Sequence, residues 1–290
     1  MGEFFALLTA VIWAIAVILL KRSGDTVSPF ALNLFRVVVS SCLLVPTLLV
    51  AGGPLWREGA LADVLILFAS GIIAIAISDT LFHMSLNMVG AGISAIIDCL
   101  YSPLTVLLAT LFLGERLGAL QLLGMALVIS GVLAAAQHEP PRGVTTRQLL
   151  LGVVWGVLAM ATLALGVVIA KPALNHSPVL WAATVRQIGC LAVMGPITLL
   201  TPRRREILRV FRPSPTWRVS VPAAVLGSYL ALMCWIAGMK YTKVGIAAIL
   251  NQSSTIYILI LAAIFLKEPF TRRKVVASLI AVAGIILVTL

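Results

Sequence analysis

Two acidic residues, Asp79 and Asp98, fall within long apolar stretches of this sequence. Each lies about nine residues from Met88–Val89, the midpoint between them, so a chain reversal there puts both carboxyl groups at the same depth. At about 1.5 Å per helical residue, that depth is well inside the hydrocarbon of a bilayer. His83 follows Asp79 by four positions and therefore shares its helix face.

Ionisable groups inside a membrane mark substrate or proton pathways by default. Burial and mutual repulsion favour a bound proton on at least one of two neighbouring carboxylates. We therefore interpret Asp79, His83 and Asp98 as a site for a proton or for a substrate ammonium group. The alternative is structural: the acids hydrogen-bond to neighbouring helices or face a wet cavity without titrating, and His83 packs as most buried histidines do.

The apolar content of the chain requires a membrane protein. Of its 290 residues, 61% are hydrophobic and 11% are charged, against about a quarter charged in a soluble domain. The sequence predicts an all-α polytopic membrane protein, since ten runs approach the roughly 20 apolar residues that a transmembrane helix needs. These runs cover roughly residues 3–21, 30–51, 62–86, 92–113, 118–136, 149–171, 178–200, 218–239, 245–266 and 272–290.

The chain contains an internal repeat. Residues 87–117 and 240–270 align without a gap and are identical at 9 of 31 positions. We predict a five-helix repeat over 1–136, a linker loop over 137–148 and a second five-helix repeat over 149–290. Because five is odd, the second copy enters the membrane from the opposite side, so the two repeats are inverted, as in many secondary transporters. Superposing them is expected to need a rotation near 180° about an axis in the membrane plane.

The two repeats differ at the acidic positions. Asp98 corresponds to Asn251, which precedes Gln252, whereas Asp79 corresponds to the apolar Leu232. One half thus supplies acids and the other supplies neutral amides. This combination favours an amphipathic substrate with an amine or hydroxyl group over a bare anion, and we predict that Asn251 and Gln252 share the site.

Aromatic side chains deep in the spans are expected to line the same cavity. Pro103 lies in the fourth predicted span and is expected to bend it, because proline frees a backbone carbonyl. Its counterpart is Ile256, so the equivalent helix of the second half is expected to lack this kink. The aromatic residues that we assign to the binding site are Trp13, Trp155, Tyr101 and Tyr257.

Arg36 and Arg186 occupy matched positions within the second and seventh spans. Arginine at such depth often snorkels to the interface. Inversion places Arg36 on the same side as Glu268 and Arg186 on the same side as Glu115. We therefore predict ion pairs that brace each end of the protein or act as alternating gates. In the sequence, no Lys or Arg lies near the two intramembrane aspartates.

The distribution of lysine and arginine between the loops predicts the orientation of the protein in the membrane. Loops after odd-numbered predicted helices carry fourteen of them and loops after even-numbered helices carry five. Basic loops stay in the cytoplasm and meet anionic lipid, so the net charge of +11 indicates membrane contact rather than nucleic-acid binding. Both termini are then expected outside.

Reporter fusions test this orientation. A fusion after Leu290 and one within residues 144–146 are expected on opposite sides of the membrane, with the fusion after Leu290 outside, because the basic loops are retained in the cytoplasm. A cytoplasmic signal from the C-terminal reporter would reverse every assignment of inside and outside.

The segment LGERLGALQLLGMALVISGVLA, Leu113 to Ala134, resembles the signature that closes each half of EamA-type transporters in the drug/metabolite transporter superfamily. The resemblance extends along nearly the whole chain. It implies a multi-pass protein of the bacterial inner membrane that exports amino acids and related metabolites, with aromatic or broad-specificity YddG-like exporters as the nearest type. We expect a monomer whose partners are lipid and a small-molecule substrate.

Several functions remain as alternatives. Secondary transport by alternating access, driven by proton exchange or by the substrate gradient, is favoured because no ATP-binding loop is present. Efflux of drugs or quaternary ammonium cations is the alternative, with the acids as anionic partners and the aromatic residues as a cage. An intramembrane enzyme is disfavoured because no HExxH or Gly-x-Ser-x-Gly motif occurs, and an open channel would show unsaturated flux.

No metal or cofactor is expected. The cysteines share no spacing and predict neither a disulfide framework nor a metal cluster. They are Cys42, Cys99, Cys190 and Cys234.

Overall fold

A computed structural model of the chain describes residues 1–54, 61–113, 118–136, 145–241, 247, 250–269 and 271–289. These residues form helices, and no strand occurs among them. The α-helices are α1 (Gly2–Gly24), α2 (Pro29–Val50), α3 (Leu61–Gly71), α4 (Ser78–Asp98), α5 (Tyr101–Leu113), α6 (Ala119–Ala136), α7 (Thr146–His176), α8 (Val179–Leu200), α9 (Arg204–Leu208), α10 (Trp217–Ala224), α11 (Leu232–Tyr241), α12 (Ser254–Phe265) and α13 (Arg272–Thr289).

Six helical segments in the described part of the chain are long and apolar enough to cross a membrane. They are Gly2–Gly24, Pro29–Val50, Leu61–Asp98, Thr146–His176, Val179–Leu200 and Trp217–Tyr241. Shorter apolar helices cover Tyr101–Phe112, Leu122–Gly131 and Leu250–Phe265. The protein is therefore an all-helical polytopic membrane protein, and the number of ten spans stays a prediction.

The third and fourth predicted spans meet inside α4. Gly90 has φ 82° and ψ 172°, a conformation that is essentially restricted to glycine. The helix therefore changes direction next to Met88–Val89 and consists of two parts, 78–89 and 91–98. The second part has eight residues, so it is about 12 Å long, and it ends at Asp98.

Both halves of the chain contain an interrupted helix at the same position of the repeat. A turn at Cys99–Leu100 separates α4 from α5, and a turn at Ser253 separates residues 250–252 from α12. Ser253 keeps right-handed helical angles, with φ −58° and ψ −20°, and Leu250–Phe265 is continuous enough to count as one apolar helix. That only the first of these helices is bent stays a prediction.

Widened helical turns also occur at matched positions. π-helical segments cover Ile72–Ile77 and Val225–Ala231, and their first residues are 153 positions apart, the offset of the sequence repeat. Such segments are rare and frequently lie at functional sites. The first leads directly into α4 and Asp79, and the second contains Ser228.

Close helix packing positions the helix that carries Arg186. Gly71 of α3 lies against the backbone carbonyl of Arg186 in α8, and a Cβ atom on Gly189 would lie 2.8 Å from the Phe68 Cα. Glycine is needed at both contacts because a side chain would force α3 and α8 apart. The buried Leu67 and Trp181 pack in the cluster around this contact.

The predicted division into two five-helix repeats stays a prediction, and the structure describes only part of the predicted linker. Residues 137–144 of the predicted linker, 137–148, lie outside the described residues. Helix α7 begins at Thr146, three residues before the predicted start at 149. Thr145 caps this helix by accepting a hydrogen bond from the Gln148 backbone N–H at 3.2 Å. The Gln148 side chain accepts from the Thr145 backbone N–H in return, so a capping box sets the start of the helix.

Candidate functional site

A cavity of about 140 Å³ lies at the point where the interrupted helices and the π-helical segments meet. Its walls come from α1, α2, α4, α5, α7, α8, α11 and the first residue of α12, together with both π-helical segments and residues 251–252. Both predicted repeats thus contribute to one cavity within a single chain.

Six of the nine binding residues predicted from the sequence line this cavity. They are Trp13, Asp79, Asp98, Tyr101, Asn251 and Gln252.

Three predicted residues are not among the residues that line the cavity. Tyr257 is 39% exposed on the surface of α12, and Trp155 is half-buried on α7. His83 is 1% exposed but lies behind the cavity wall. Sequence position suggested these three residues, but their place on each helix leaves them outside the cavity lining.

Arg36 lies at the cavity rather than at an end of the protein. Its side chain is buried, with Nη2 3.5 Å from Asp79 Oδ2 and Nε donating to Ser228 Oγ at 2.9 Å. The predicted pairing of Arg36 with Glu268 is therefore wrong, and so is the inference that Asp79 lies far from any basic group. The error arises because α2 and α4 bring together residues 43 positions apart in sequence.

His83 supports Arg36 instead of facing a ligand. Its Nε2 is 2.6 Å from Arg36 Nη1. A guanidinium group only donates hydrogen bonds, so His83 Nε2 accepts and the imidazole is neutral, with its hydrogen on Nδ1. Nδ1 is buried and has no hydrogen-bond partner among the described residues. His83 therefore helps to hold Arg36 against Asp79.

Arg186 lies at the cavity and not, as predicted from the sequence, at an end of the protein. It lines the cavity and is 1% exposed, with its Cζ 5.5 Å from the centre of the Trp235 ring. Its Nε and Nη1 have no hydrogen-bond partner in the described part of the chain. Glu115, its predicted partner, lies outside the described residues. Arg186 thus presents unused donors where an anionic group can bind.

Asp98, which also lines the cavity, is an acidic residue with no basic side chain beside it among the described residues. No Lys, Arg or His nitrogen of the described residues lies within 4.0 Å of its carboxylate. Gln252 Nε2 donates to the Asp98 backbone carbonyl at 3.3 Å, and the adjacent Asn251 Oδ1 is buried with no hydrogen-bond partner among the described residues. Within the described part of the chain, the cavity therefore holds one ion pair, Arg36–Asp79, and two charges of opposite sign that lack such a partner, Arg186 and Asp98.

Glu268 connects the two halves of the chain away from the cavity. Its carboxylate accepts hydrogen bonds from the backbone N–H groups of Ala91 at 2.7 Å and Gly92 at 3.0 Å, and Lys274 Nζ lies 3.4 Å away. These N–H groups begin the half-helix 91–98 and have no partner within it. Glu268 is thus a bracing residue with different contacts from those predicted.

Known proteins match this sequence over nearly its whole length. The profile of the EamA-like transporter family matches residues 1–136 and again residues 150–290. A protein of Streptantibioticus cattleyicolor, named a probable terminal-alkyne amino-acid exporter, is 26% identical over 97% of this chain and 91% of its own length. An uncharacterized transporter of Archaeoglobus fulgidus is 25% identical over 98% of this chain and 96% of its own length.

A solved crystal structure has the same fold. It superposes with a TM-score of 0.71 and 15% identity over 99% of this chain and 95% of the other. The family profile covers nearly all of the sequence, which confirms the resemblance seen in the segment Leu113 to Ala134. The chain belongs to the EamA-like transporter family of the drug/metabolite transporter superfamily, whose members are membrane transporters and not enzymes.

Proposed function

We propose that the protein is a secondary transporter that exports amino acids across the bacterial inner membrane by alternating access. The observation that carries this proposal is the presence of Arg186 and Asp98 on one cavity, each without an ion-pair partner among the described residues. A buried charge is costly unless it is paired. A zwitterion with one carboxylate and one ammonium group supplies both missing partners at once.

The substrate carboxylate binds Arg186 in this proposal. A guanidinium group presents parallel donors that match the two oxygens of a carboxylate, and such contacts are stronger than neutral hydrogen bonds. Trp235 holds the guanidinium from one side by a cation–π contact. The ammonium group binds the Asp98 carboxylate, and Asn251 Oδ1, which has no partner in the part of the chain that the structure describes, is a further acceptor.

The remaining walls favour an apolar substrate side chain. Phe82, Met160, Leu163 and Leu232 contribute apolar surface to the cavity. The volume of about 140 Å³ is close to that of an engineered cavity of about 150 Å³ that binds benzene. The site is therefore suited to one small metabolite with a compact apolar or aromatic group. The named function of the Streptantibioticus relative supports the same substrate class.

Efflux of cationic drugs is the second candidate that the sequence suggested. Asp98, Trp13 and Trp235 at the cavity provide an anion and aromatic faces for a lipophilic cation. Arg186 opposes this function, because an uncompensated guanidinium on the same small cavity repels a second cation. We therefore place amino acids before drugs.

Counterflow in proteoliposomes tests the substrate class. The purified protein is reconstituted, the vesicles are loaded with one unlabelled amino acid at a time, and uptake of the same labelled amino acid is measured. Matched competitors are the amide and the decarboxylated amine of that amino acid, together with a lipophilic quaternary ammonium ion. We expect counterflow with one or more apolar amino acids, and at least tenfold weaker competition by compounds that lack the carboxylate.

Counterflow driven by the lipophilic cation and by none of the amino acids would contradict the proposal and support drug efflux. The energy source that we infer is proton exchange or the gradient of the substrate itself. We also infer that the monomer is the transporting unit.

A further inference from the structure

The two aspartates of the cavity have different surroundings. Asp79 lies beside Arg36, and Arg36 is further held by Ser228 and His83. Asp98 lies within 4.0 Å of no basic nitrogen of the described residues. Neighbouring positive charge stabilises the ionised form of Asp79, and Asp98 lacks such a neighbour.

The position of Asp98 in its helix adds to this difference. Asp98 is the last residue of α4, at the end of the half-helix 91–98 where unpaired carbonyl groups give the helix its negative pole. A carboxylate at that end is disfavoured and a positive charge or a proton is favoured. Asp79 lies in the interior of the helical segment Leu61–Asp98, which continues through the π-helical turn, so no negative helix end lies beside its carboxylate.

The other groups around the cavity leave Asp98 as the group that can exchange a proton. The other ionisable residues that line the cavity are the permanently charged Arg36 and Arg186, the paired Asp79, and Tyr101, whose phenol is neutral near pH 7. Cys99 follows Asp98 directly, and its Sγ lies 3.4 Å from Thr255 Oγ1. Residues 251–252, which approach from the second half of the chain, are neutral amides.

We propose that Asp98 alone couples transport to protons, because a proton and the substrate ammonium group compete for its carboxylate while Arg36 keeps Asp79 ionised. The inference rests on the proposed amino-acid function. An amino acid that binds from the cytoplasm displaces the proton from Asp98 to that side. After the amino acid leaves outside, Asp98 takes up a proton there, and the protonated site returns. Each cycle exports one zwitterion and imports one proton.

Proton release on binding is the direct test. An apolar amino acid that passes the counterflow assay is added to the detergent-solubilised protein in weak buffer with a pH indicator, and its affinity is measured between about pH 5 and 9. We expect release of up to one proton per bound substrate. The affinity should fall as the pH falls, approaching tenfold per pH unit where Asp98 is mostly protonated. The N-acetyl derivative, which lacks the ammonium group, should release no proton.

Variants assign the effect to one of the two acids. Asp98→Glu keeps a carboxyl group and should retain proton release, whereas Asp98→Asn should release none and should make any residual binding independent of pH. Asp79→Asn is the matched control: it is expected to bind substrate more weakly because Arg36 is freed, but to keep the pH dependence.

The outcomes separate the coupling inference from the substrate proposal. Failure of every amino acid in counterflow rejects the substrate class. Amino-acid binding without proton release by the wild-type protein overturns the coupling inference and leaves the substrate class intact. If Asp79→Asn loses the pH dependence and Asp98→Asn keeps it, coupling belongs to Asp79, and the inference is also overturned.

Discussion

Replacement of Arg186 by methionine is expected to abolish amino-acid transport while leaving the protein as stable as the wild type or more so. Arg186 is almost completely buried, and two of its guanidinium nitrogens have no partner among the described residues. Without substrate it therefore bears the cost of burial with little compensation. With substrate it supplies the charge that the carboxylate needs. Loss of such a contact costs about 2–5 kcal/mol, which is roughly thirtyfold to several thousandfold in affinity.

The measurements are substrate affinity and thermal unfolding of the same purified variant. Arg186→Lys keeps the charge but loses the parallel donors, so its affinity is expected to lie between those of the wild type and Arg186→Met. The decarboxylated amine serves as the matched ligand, since its weak binding should not weaken further in Arg186→Met. A variant that unfolds at a much lower temperature, or that still prefers the amino acid over its amide, would show that Arg186 has a structural role.

Replacement of Glu268 by alanine is expected to cost about 2–4 kcal/mol of the free energy of unfolding and most of the transport activity. The change removes the acceptor for the Ala91 and Gly92 N–H groups and leaves Lys274 without its ion-pair partner. The half-helix 91–98 connects this contact to Asp98, so loosening its first residue disturbs the position of the Asp98 carboxylate.

Glu268→Gln keeps an acceptor oxygen and should show an intermediate loss. Gly90→Ala should resemble Glu268→Ala, because a Cβ atom there would lie 2.7 Å from Glu268 Oε1 and because φ 82° disfavours alanine. Glu3→Ala is the matched control: this exposed glutamate lies in the first turn of α1, and its loss should cost less than about 0.5 kcal/mol. Equal unfolding temperatures for Glu3→Ala and Glu268→Ala would argue against the bracing contact.

The sequence alone determined the class of the protein. Its apolar runs require helices in a membrane, since only helices and closed barrels satisfy their own backbone there. The sequence also allows the depth of a residue in the membrane to be predicted, because a fixed rise per helical residue converts its position within a span into a distance from the end of that span. This argument suggested a shared depth for Asp79 and Asp98, which both line the cavity. The family resemblance is confirmed by the profile match to both halves.

Only the tertiary structure decided which side chains meet at that depth. The rotation of each helix turned Tyr257 to the surface and placed Trp235 against Arg186, and no periodicity distinguishes such faces in a helix that is apolar all round. Arginine side chains are also long, so the sequence permits them to reach either the interface or the core. Arg36 became the partner of Asp79 because α2 and α4 pack together, and Arg186 was left without a partner among the described residues because α8 brings it to the cavity wall. The charges available to a ligand are those that remain after helix packing has paired the others, and packing depends on contacts between residues far apart in the chain.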